Sequence, residues 1–368
     1  MRILAVLHSS EIGGTEVCYG RLLEVLAARS DVEILGMYPQ GPMVETWAKL
    51  APWTPYRAGA LPLRFVRRDF AQWVRSGIRR SGEIAATIES WKPDVVLSLT
   101  SVLTAPAGVA HRLNVPAVSY VREYVEPPLV RELLWRRLAH RSDILIAISS
   151  QLLNDLSPYA RGRVRFVRDG VPLPSLPGSP SSPPTVAFFG GYEPVKGGDL
   201  FIDAVPDVHA AAPEAGFSFY GECWPHQRGF CDRVRRRADE LGIPVDFVET
   251  RGFAKHEATA SLVVMPSRQE GLGLVGLESM SYGVPVVAAD VGGLRDVVVD
   301  GVTGLLVPPE DPVSLGNALI RLLKDGPLRE RMGAAARERV QEHFSVQSAV
   351  DGLLDVLHEV LERRARAR

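Results

Sequence analysis

The sequence predicts an α/β protein made of two Rossmann-like domains that face each other across a cleft. Short apolar runs alternate with helical patterns along the 368 residues, which is typical of parallel sheets with crossover helices. The order strand, glycine turn, helix also occurs twice, once from residue 3 and again from residue 186. At roughly 150 residues per domain the length fits two domains. Ligands of such domains bind at the carboxyl ends of the strands.

The first half begins with a predicted strand at 3–7, a turn at Gly13-Gly14 and a helical pattern over 16–29. Glycine allows the tight turn that joins a strand to a helix. Further strands are predicted at Val32–Gly36, Asp94–Leu99, Ala117–Val121 and Ile144–Ile148. This half is therefore expected to form the first Rossmann-like domain, over residues 1–174.

A proline-rich segment separates the two halves. Six prolines lie between Pro172 and Pro184, a composition typical of a semi-rigid linker, which we assign to 175–184. The second domain is predicted over 185–345, and a final helix over 346–368 is expected to cross back to the first domain. The second-half strands are predicted at Val186–Phe189, Phe217–Tyr220, Val245–Val248, Leu262–Met265 and Val284–Ala288.

Composition and charge exclude several classes of function. The net charge is −1, with 42 basic and 43 acidic residues, which argues against a general nucleic-acid binder. No segment reaches the roughly 20 apolar residues that cross a bilayer, and the apolar run at 3–7 is too short for a signal peptide. We therefore expect a cytoplasmic protein.

The three cysteines, Cys18, Cys223 and Cys231, form no CxxC pair, so no disulfide framework is predicted. Cys223 and Cys231 lie close to Glu222 and His226, and together these four could supply metal ligands. Their spacing matches no standard zinc motif, and we expect ordinary loop residues and no metal.

The most informative stretch is residues 265–287, where a buried strand leads through a glycine-rich loop into a short helix. Glycines let the backbone approach a ligand, and a helix start presents free N–H groups and a positive dipole end. This pattern predicts a phosphate site. Glu278 follows in an apolar helix and needs partners there, because an unpaired buried charge is costly. A ribose diol, an arginine or neighbouring backbone could each supply them.

The run from Pro266 to Pro312, PSRQEGLGLVGLESMSYGVPVVAADVGGLRDVVVDGVTGLLVPPEDP, resembles the signature of nucleotide-sugar glycosyltransferases of the GT-B fold, in glycosyltransferase family 4. Glu270 and Glu278 match the paired glutamates of that family, with seven residues between them. The segments IGGTE at 12–16 and FFGGYEPVKGGDLFIDA at 188–204 are similar to family segments as well.

The resemblance implies a retaining transfer of a sugar from a nucleoside diphosphate sugar to an acceptor hydroxyl, with no cofactor and no metal. Lys196 would neutralise the leaving diphosphate, Glu278 would hold the ribose hydroxyls, and Glu270 would contact the sugar ring and favour its oxocarbenium-like charge. The other donor-binding positions are expected to bring backbone close to the phosphates: Gly13, Gly14, Gly190, Gly271, Gly273, Leu274 and Val275.

The sequence departs from the family at a phosphate-binding position. The family carries arginine directly after the first glycine of the 188–204 segment, where this chain has Gly191. Arg268 or Arg295 could replace that cation. The departure supports an alternative function, that of a non-catalytic sugar-nucleotide binder or accessory homologue. An epimerase of the same fold fits the 266–312 signature less well, and a phosphorylase would require a pyridoxal-phosphate lysine in a longer chain.

A second departure lies after the strand at 117–121. Family members often carry a histidine there that touches the donor sugar, and this chain has Arg122 and Glu123. They could form a sugar- or acceptor-binding pair, or a surface ion pair of little energetic value. Asp169 likewise stands where asparagine is usual.

Residues 61–80 combine an aromatic and aliphatic helical face with arginines on its flanks. Such a helix can lie on an anionic membrane, here the inner face, or pack on the sheet with its arginines in water. Sequence patterns leave open the base, the sugar, the oligomeric state and the acceptor, which could be a polysaccharide, a glycolipid or a small-molecule natural product.

Overall fold

A computed structural model describes residues 1–56, 81–125, 127–250 and 254–366. The chain forms two compact units. Unit 1 contains Met1–Gly170 and Val346–Arg368, and unit 2 contains Val171–Ser345. Both units are parallel α/β sheets with helices, so the predicted fold class is confirmed.

In the described residues, unit 1 has a seven-stranded parallel sheet in the order β3-β2-β1-β4-β5-β6-β7. Its strands are β1 (Arg2–Val6), β2 (Glu33–Tyr38), β3 (Trp53–Pro55), β4 (Val95–Ser98), β5 (Ala117–Val121), β6 (Ile144–Ala147) and β7 (Val164–Phe166). Its helices are α1 (Gly14–Ala27), α2 (Val44–Ala48), α3 (81–91), α4 (Ala105–Arg112), α5 (Pro128–Arg141), α6 (Ser150–Ala160) and, from the chain end, α14 (Val346–Arg366).

The strands of unit 1 are continuous apolar runs because helices cover both faces of a parallel sheet. Every residue of β4, β5 and β6 is buried. The strand order reverses between β1 and β4, whose residues Ala5 and Leu97 pair directly. This is the topological switch point, and the crevice above its strand ends is where open α/β sheets bind ligands.

Helix α14 packs on unit 1 through its buried apolar face, which includes Val350, Leu353, Leu357 and Val360. Ion pairs anchor it at its C-terminal half, with Arg165 Nε 2.8 Å from a Glu359 oxygen and Arg364 Nε 2.9 Å from an Asp143 oxygen.

Unit 2 has, among its described residues, a six-stranded parallel sheet in the order β10-β9-β8-β11-β12-β13. The strands are β8 (Thr185–Phe189), β9 (Gly216–Tyr220), β10 (Val245–Val248), β11 (Leu262–Met265), β12 (Val286–Ala289) and β13 (Gly304–Val307). The helices are α7 (Gly198–Ala211), α8 (Arg228–Leu241), α9 (Ala254–Glu257), α10 (Leu274–Ser281), α11 (Leu294–Val297), α12 (Pro312–Lys324) and α13 (Gly326–His343). The switch point of this sheet lies between β8 and β11.

The segment 175–184, predicted as a linker, is hydrogen-bonded to unit 2. The backbone N–H of Gly178 donates to the Tyr282 carbonyl at 2.7 Å, and that of Ser181 donates to the Thr259 carbonyl at 2.9 Å. Proline keeps the segment extended, but the residues between the prolines retain N–H groups that need acceptors. The segment is therefore part of the second unit.

The prediction of no disulfide is wrong, because Cys223 and Cys231 form one, while Cys18 is buried and free. A short turn at Pro225–Gln227 folds the chain back, so that the first turn of α8 brings the two Cα atoms to 6.3 Å. Sulfurs joined in a disulfide are not thiolate metal ligands. Within the described residues, no three His, Cys, Asp or Glu side chains are grouped as a metal site. No helix in that part of the chain is long and apolar enough to span a membrane.

Candidate functional site

Two loops meet at the switch point of unit 2. One follows β8 over 190–197, and the other follows β11 over 266–273. Because β8 and β11 are hydrogen-bonded neighbours, the loops contact each other, and the Arg268 N–H donates to the Val195 carbonyl at 2.8 Å. Gly197 has φ +70°, and a Cβ there would lie 2.0 Å from the Pro266 carbonyl oxygen. Only glycine therefore fits this crossing.

Lys196 and Glu270, predicted from separate motifs, form an ion pair across these loops. Lys196 Nζ donates to Glu270 Oε2 at 2.8 Å, and Ser267 Oγ donates to the same oxygen at 3.3 Å. Burial acts to lower the pKa of Lys196, but the Glu270 carboxylate beside it outweighs that effect and the pKa is raised. Lys196 therefore stays cationic, with about a third of its side chain open to an incoming anion.

Helix α10 begins directly after the second loop. Its N-cap, Gly273, has φ +100° and supplies no side chain to cap the helix. The first N–H groups of any helix lack intrahelical acceptors, so Leu274 and Val275, both half-buried, present donors at a positive dipole end. The loop and helix start thus combine uncapped N–H donors with a positive dipole end, which are the features from which the sequence predicts a phosphate site.

Gly292 and Gly293 support the loop that carries Glu270. The Gly293 N–H donates to the Glu270 carbonyl at 3.1 Å, and a Cβ on Gly292 would lie 2.1 Å from that oxygen. The glycine pair therefore fixes the backbone of the Glu270 loop by close approach.

Glu278 lies half-buried on α10, one turn after Leu274. Burial raises the pKa of the neighbouring Tyr282 phenol, and the carboxylates of Glu257 and Glu278 raise it further. Gly190 and Gly271 lie in the two switch-point loops, at their predicted positions. All the residues of unit 2 that the sequence predicts to bind the sugar donor lie in these two loops or on α10.

Neither arginine named as a replacement for the missing cation is available in this arrangement. Arg268 holds both Asp199 oxygens at 2.9 Å and also reaches Glu310 at 2.7 Å, and Arg295 Nε bonds Asp290 at 2.6 Å. Each guanidinium is thus neutralised by carboxylates. At Gly191, an added Cβ would find its nearest neighbour, the Gln227 side chain, 3.8 Å away, so a larger residue has room there.

In unit 1, Gly13 caps α1 at the carboxyl end of β1, and Gly14 begins the helix. A Cβ on Gly13 would lie 2.6 Å from a carboxylate oxygen of Glu16, which is buried. Burial raises the pKa of Glu16, His8 at 4.0 Å opposes that shift, and Glu123 adds to it. His8 and Glu16 were not predicted, although Glu16 lies within the IGGTE motif.

At the switch point of unit 1, Glu123 accepts hydrogen bonds from the loop after β4 and from the start of α1. Its oxygens accept hydrogen bonds from Thr100 Oγ1 at 2.8 Å, from Ser101 Oγ at 2.8 Å and N at 3.2 Å, and from Thr15 Oγ1 at 3.4 Å. The carboxylate therefore ties the start of α1 to the loop after β4.

Arg122 and Glu123 do not pair with each other, and Arg122 is not at the surface. Its guanidinium binds the Asp169 carboxylate, both side chains are only 4% exposed, and it lies 4.3 Å from the centre of the Tyr120 ring. Successive residues at a strand end point to opposite sides, which separates the two side chains. The two departures at 122 and 169 are thus one ion pair.

The chain is similar in sequence to known glycosyltransferases. Residues 183–325 match the family described as glycosyl transferases group 1. Glycogen synthase of Mycobacterium tuberculosis is 28% identical over 307 residues, covering 77% of this chain and 72% of that protein. A D-inositol 3-phosphate glycosyltransferase of Xylanimonas cellulosilytica is 36% identical over 196 residues, 51% of this chain and 45% of the relative.

The fold has solved counterparts as well. The crystal structure of HepE from Anabaena in complex with UDP and glucose superposes with a TM-score of 0.82 over 98% of this chain and 100% of that one, at 20% identity. At that identity the likeness shows the fold. The sequence-based resemblance to GT-B glycosyltransferases is confirmed.

Proposed function

We propose that this chain, which resembles group 1 glycosyltransferases, transfers a sugar from a nucleoside diphosphate sugar to an acceptor hydroxyl with retention of configuration. The carrying observation is the Lys196–Glu270 pair, 2.8 Å apart at the switch point of unit 2, beside the uncapped start of α10. A cation and free N–H groups at one point are what a diphosphate needs, and the adjacent carboxylate suits the sugar hydroxyls.

In this reaction the bond between the anomeric carbon and the diphosphate oxygen breaks, and its electron pair stays on the diphosphate. Negative charge then develops next to Lys196 and the N–H groups of Leu274 and Val275. Preorganised donors at the place where charge develops are often the largest catalytic contribution. Glu270, with Ser267 at 3.3 Å, is held to contact the sugar as its ring becomes positive.

The acceptor oxygen forms the new bond on the face that the leaving group vacates, and its proton passes to the departing diphosphate. The proposed reaction requires no metal ion or other cofactor, because Lys196 and the dipole of α10 stabilise the negative charge on the diphosphate. Glu278 is proposed to bind the ribose diol. Gly13 and Gly14 are proposed to approach the diphosphate, and Glu123 with Arg122 to shape the acceptor side through the contacts described above.

A second candidate is a non-catalytic sugar-nucleotide binder. It is favoured by one observation, that Gly191 supplies no cation while Arg268 and Arg295 are held by Asp199, Glu310 and Asp290. In that case the diphosphate would be bound by Lys196 and the helix N–H groups, without a second cationic side chain from these positions.

Donor consumption separates the two candidates. A thermal-shift screen with UDP, GDP, TDP and ADP identifies the base, and UDP-glucose is a reasonable first donor because HepE was solved with UDP and glucose. We expect a stabilising nucleotide and slow hydrolysis of its sugar by the wild type, with an α-configured product from an α-donor. Tight nucleotide binding without any turnover, with or without acceptors, would favour the non-catalytic binder.

The class of acceptor and a contact with a membrane are further parts of the proposed function. A polysaccharide, a glycolipid and a small-molecule natural product remain the proposed acceptor classes. One relative is named a glycogen synthase and another a D-inositol 3-phosphate glycosyltransferase. Residues 61–80, for which the sequence allows either a membrane contact or packing on the sheet, lie outside the described residues.

A further inference from the structure

Helix α5 exposes an unusual face on unit 1. Leu129 and Leu133 are 74% and 68% exposed, although both are large apolar side chains. They lie four residues apart, so they occupy one side of the helix, about 6 Å apart along its axis. Arg136, Arg137 and His140 continue the same side toward the C-terminus, and all three are exposed.

The basic end of this face extends onto the neighbouring helices. His111 on α4 lies 5.9 Å from His140, ring to ring, and the guanidinium of Arg141 reaches over Gly108 of α4. A cavity of about 600 Å³ opens between the ends of α5 and α6, lined by Arg136, His140, Tyr159, Arg161 and Arg163 with Ala139 and Pro158. The surface is therefore continuous over three helix ends.

This surface carries more arginines than carboxylates that pair with them. Glu132 is bonded to Arg136 at 2.7 Å and Asp143 to Arg364 at 2.9 Å. In the part of the chain that the structure describes, no carboxylate forms an ion pair with Arg112, Arg137, Arg141 or Arg161. Burial lowers the pKa of Arg141, and the like charges of Arg137 and Arg112 lower it further. An external anion would relieve this repulsion.

Basic residues at helix ends can also serve only to complement the helix dipoles. That role explains His140 and Arg141 at the end of α5, but it does not explain two exposed leucines on the same face. We propose that the α5 face, Leu129, Leu133, Arg136, Arg137 and His140, docks on an anionic lipid bilayer, with the leucines in the acyl boundary and the arginines on headgroup phosphates.

The chemistry favours a bilayer over a protein partner. A stable protein interface buries about 800 Å² on each side around an apolar centre, and two leucines on a convex helix are too few to form one. An interfacial helix needs only a few inserted apolar side chains, because attraction to anionic lipid supplies the rest. The proposal is independent of the glycosyl-transfer reaction.

Sedimentation of the full chain with vesicles tests the proposal. We expect binding to phosphatidylcholine vesicles that contain 30% phosphatidylglycerol, weakened by salt, and little binding to pure phosphatidylcholine. The variant L129S/L133S, which removes the apolar side chains, should bind at least tenfold more weakly. The variant R136S/R137S, which removes two charges of the same face, should also bind at least tenfold more weakly, at roughly fivefold per charge. The matched controls are V302S/V313S, which removes exposed valines from unit 2, and R228S/R236S, which removes exposed arginines from α8.

Several results would overturn the proposal. One is no binding of the wild type to anionic vesicles, and another is binding that the two α5-face variants leave unchanged. Loss of binding on replacing Arg67 and Arg68 instead would assign the contact to 61–80. A self-association measured by light scattering that L129S/L133S abolishes, without vesicle binding, would show that the face joins two copies. Unchanged melting temperatures of the variants exclude misfolding as the cause.

Discussion

Arg122 and Asp169 form a buried ion pair that joins the end of β5 to the segment after β7. Removing one partner of such a pair leaves an uncompensated buried charge, which typically costs about 3–5 kcal/mol. We therefore expect Asp169→Asn to lower the free energy of unfolding by about that amount in urea titrations, and the double variant R122H/D169N to recover much of the loss.

The exposed pair Arg237–Asp203 provides the control, since its side chains are 49% and 36% exposed and Asp203→Asn should have a far smaller effect. Equal losses for the two asparagine variants would contradict the proposed importance of burial at Asp169.

Glu16 should make stability depend on pH. Burial raises its pKa in the folded state above the ordinary 4.5 of the unfolded chain. At a pH between the unfolded-state and folded-state pKa, the folded chain therefore binds more protons than the unfolded chain. Its contribution to stability is thus fully present below 4.5 and is lost as pH rises through the folded-state pKa. Glu16→Gln should remove this loss, so the variant should gain stability relative to wild type as pH rises from 4 to 8. A wild-type-minus-variant difference in unfolding free energy that is flat over this range would contradict the prediction.

Gly197 should tolerate no side chain. A Cβ would lie 2.0 Å from the Pro266 carbonyl, at φ +70°, so Gly197→Ala must displace the crossing of the two switch-point loops. We expect a loss of more than about 1–2 kcal/mol in unfolding free energy, together with weaker nucleotide binding.

Gly301 has a similar φ of +73° with nothing within 4 Å of a Cβ, so Gly301→Ala isolates the backbone cost alone, about 1 kcal/mol. Nucleotide titrations of both variants show whether the contact between the two switch-point loops matters for donor binding. If the nucleotide affinity falls equally in the two variants, or falls in neither, the contact has no role in donor binding.

Gly191→Arg should strengthen nucleoside diphosphate binding. The space around Gly191 accepts a side chain, and a guanidinium there would add a charge-assisted hydrogen bond worth about 1.5–3 kcal/mol, or roughly tenfold or more in affinity. Calorimetric titration of the stabilising nucleotide measures the change. Gly326→Arg at the start of α13 adds the same charge outside the two switch-point loops, at a position where an added Cβ also has room. An equal gain in affinity from that variant would show that the effect of Gly191→Arg is only long-range attraction.

The repeated strand, glycine turn and helix order predicted the central strands of both sheets, because buried parallel strands are continuous apolar runs. β1, β5 and β8 lie within about a residue of their predicted bounds. The edge strands β3, β7 and β13 are only three or four residues long and were not predicted. The Lys196 and Glu270 motifs were visible separately, but their 2.8 Å contact depends on the pairing of β8 with β11, which no local pattern encodes.

Long-range partnerships account for the remaining differences. Asp169 lies 47 residues from Arg122, so the sequence shows two departures where the structure has one ion pair. The Cys223–Cys231 disulfide depends on a turn at Pro225–Gln227 that the spacing of the cysteines does not reveal. The hydrogen bonds that fix 175–184 on unit 2 likewise join residues that are about 80–100 positions apart in the chain.

Turnover by Lys196→Ala tests the proposed chemistry most directly. The kcat for hydrolysis of the best donor should fall by at least about a hundredfold, since the variant loses the side-chain cation beside the developing diphosphate charge. Lys324→Ala, at an exposed position on α12, should keep wild-type kcat, and the nucleotide affinity of Lys196→Ala should fall less than its kcat. A Lys196→Ala enzyme that hydrolyses the donor at the wild-type rate would contradict the role of Lys196 and, with it, the proposed mechanism.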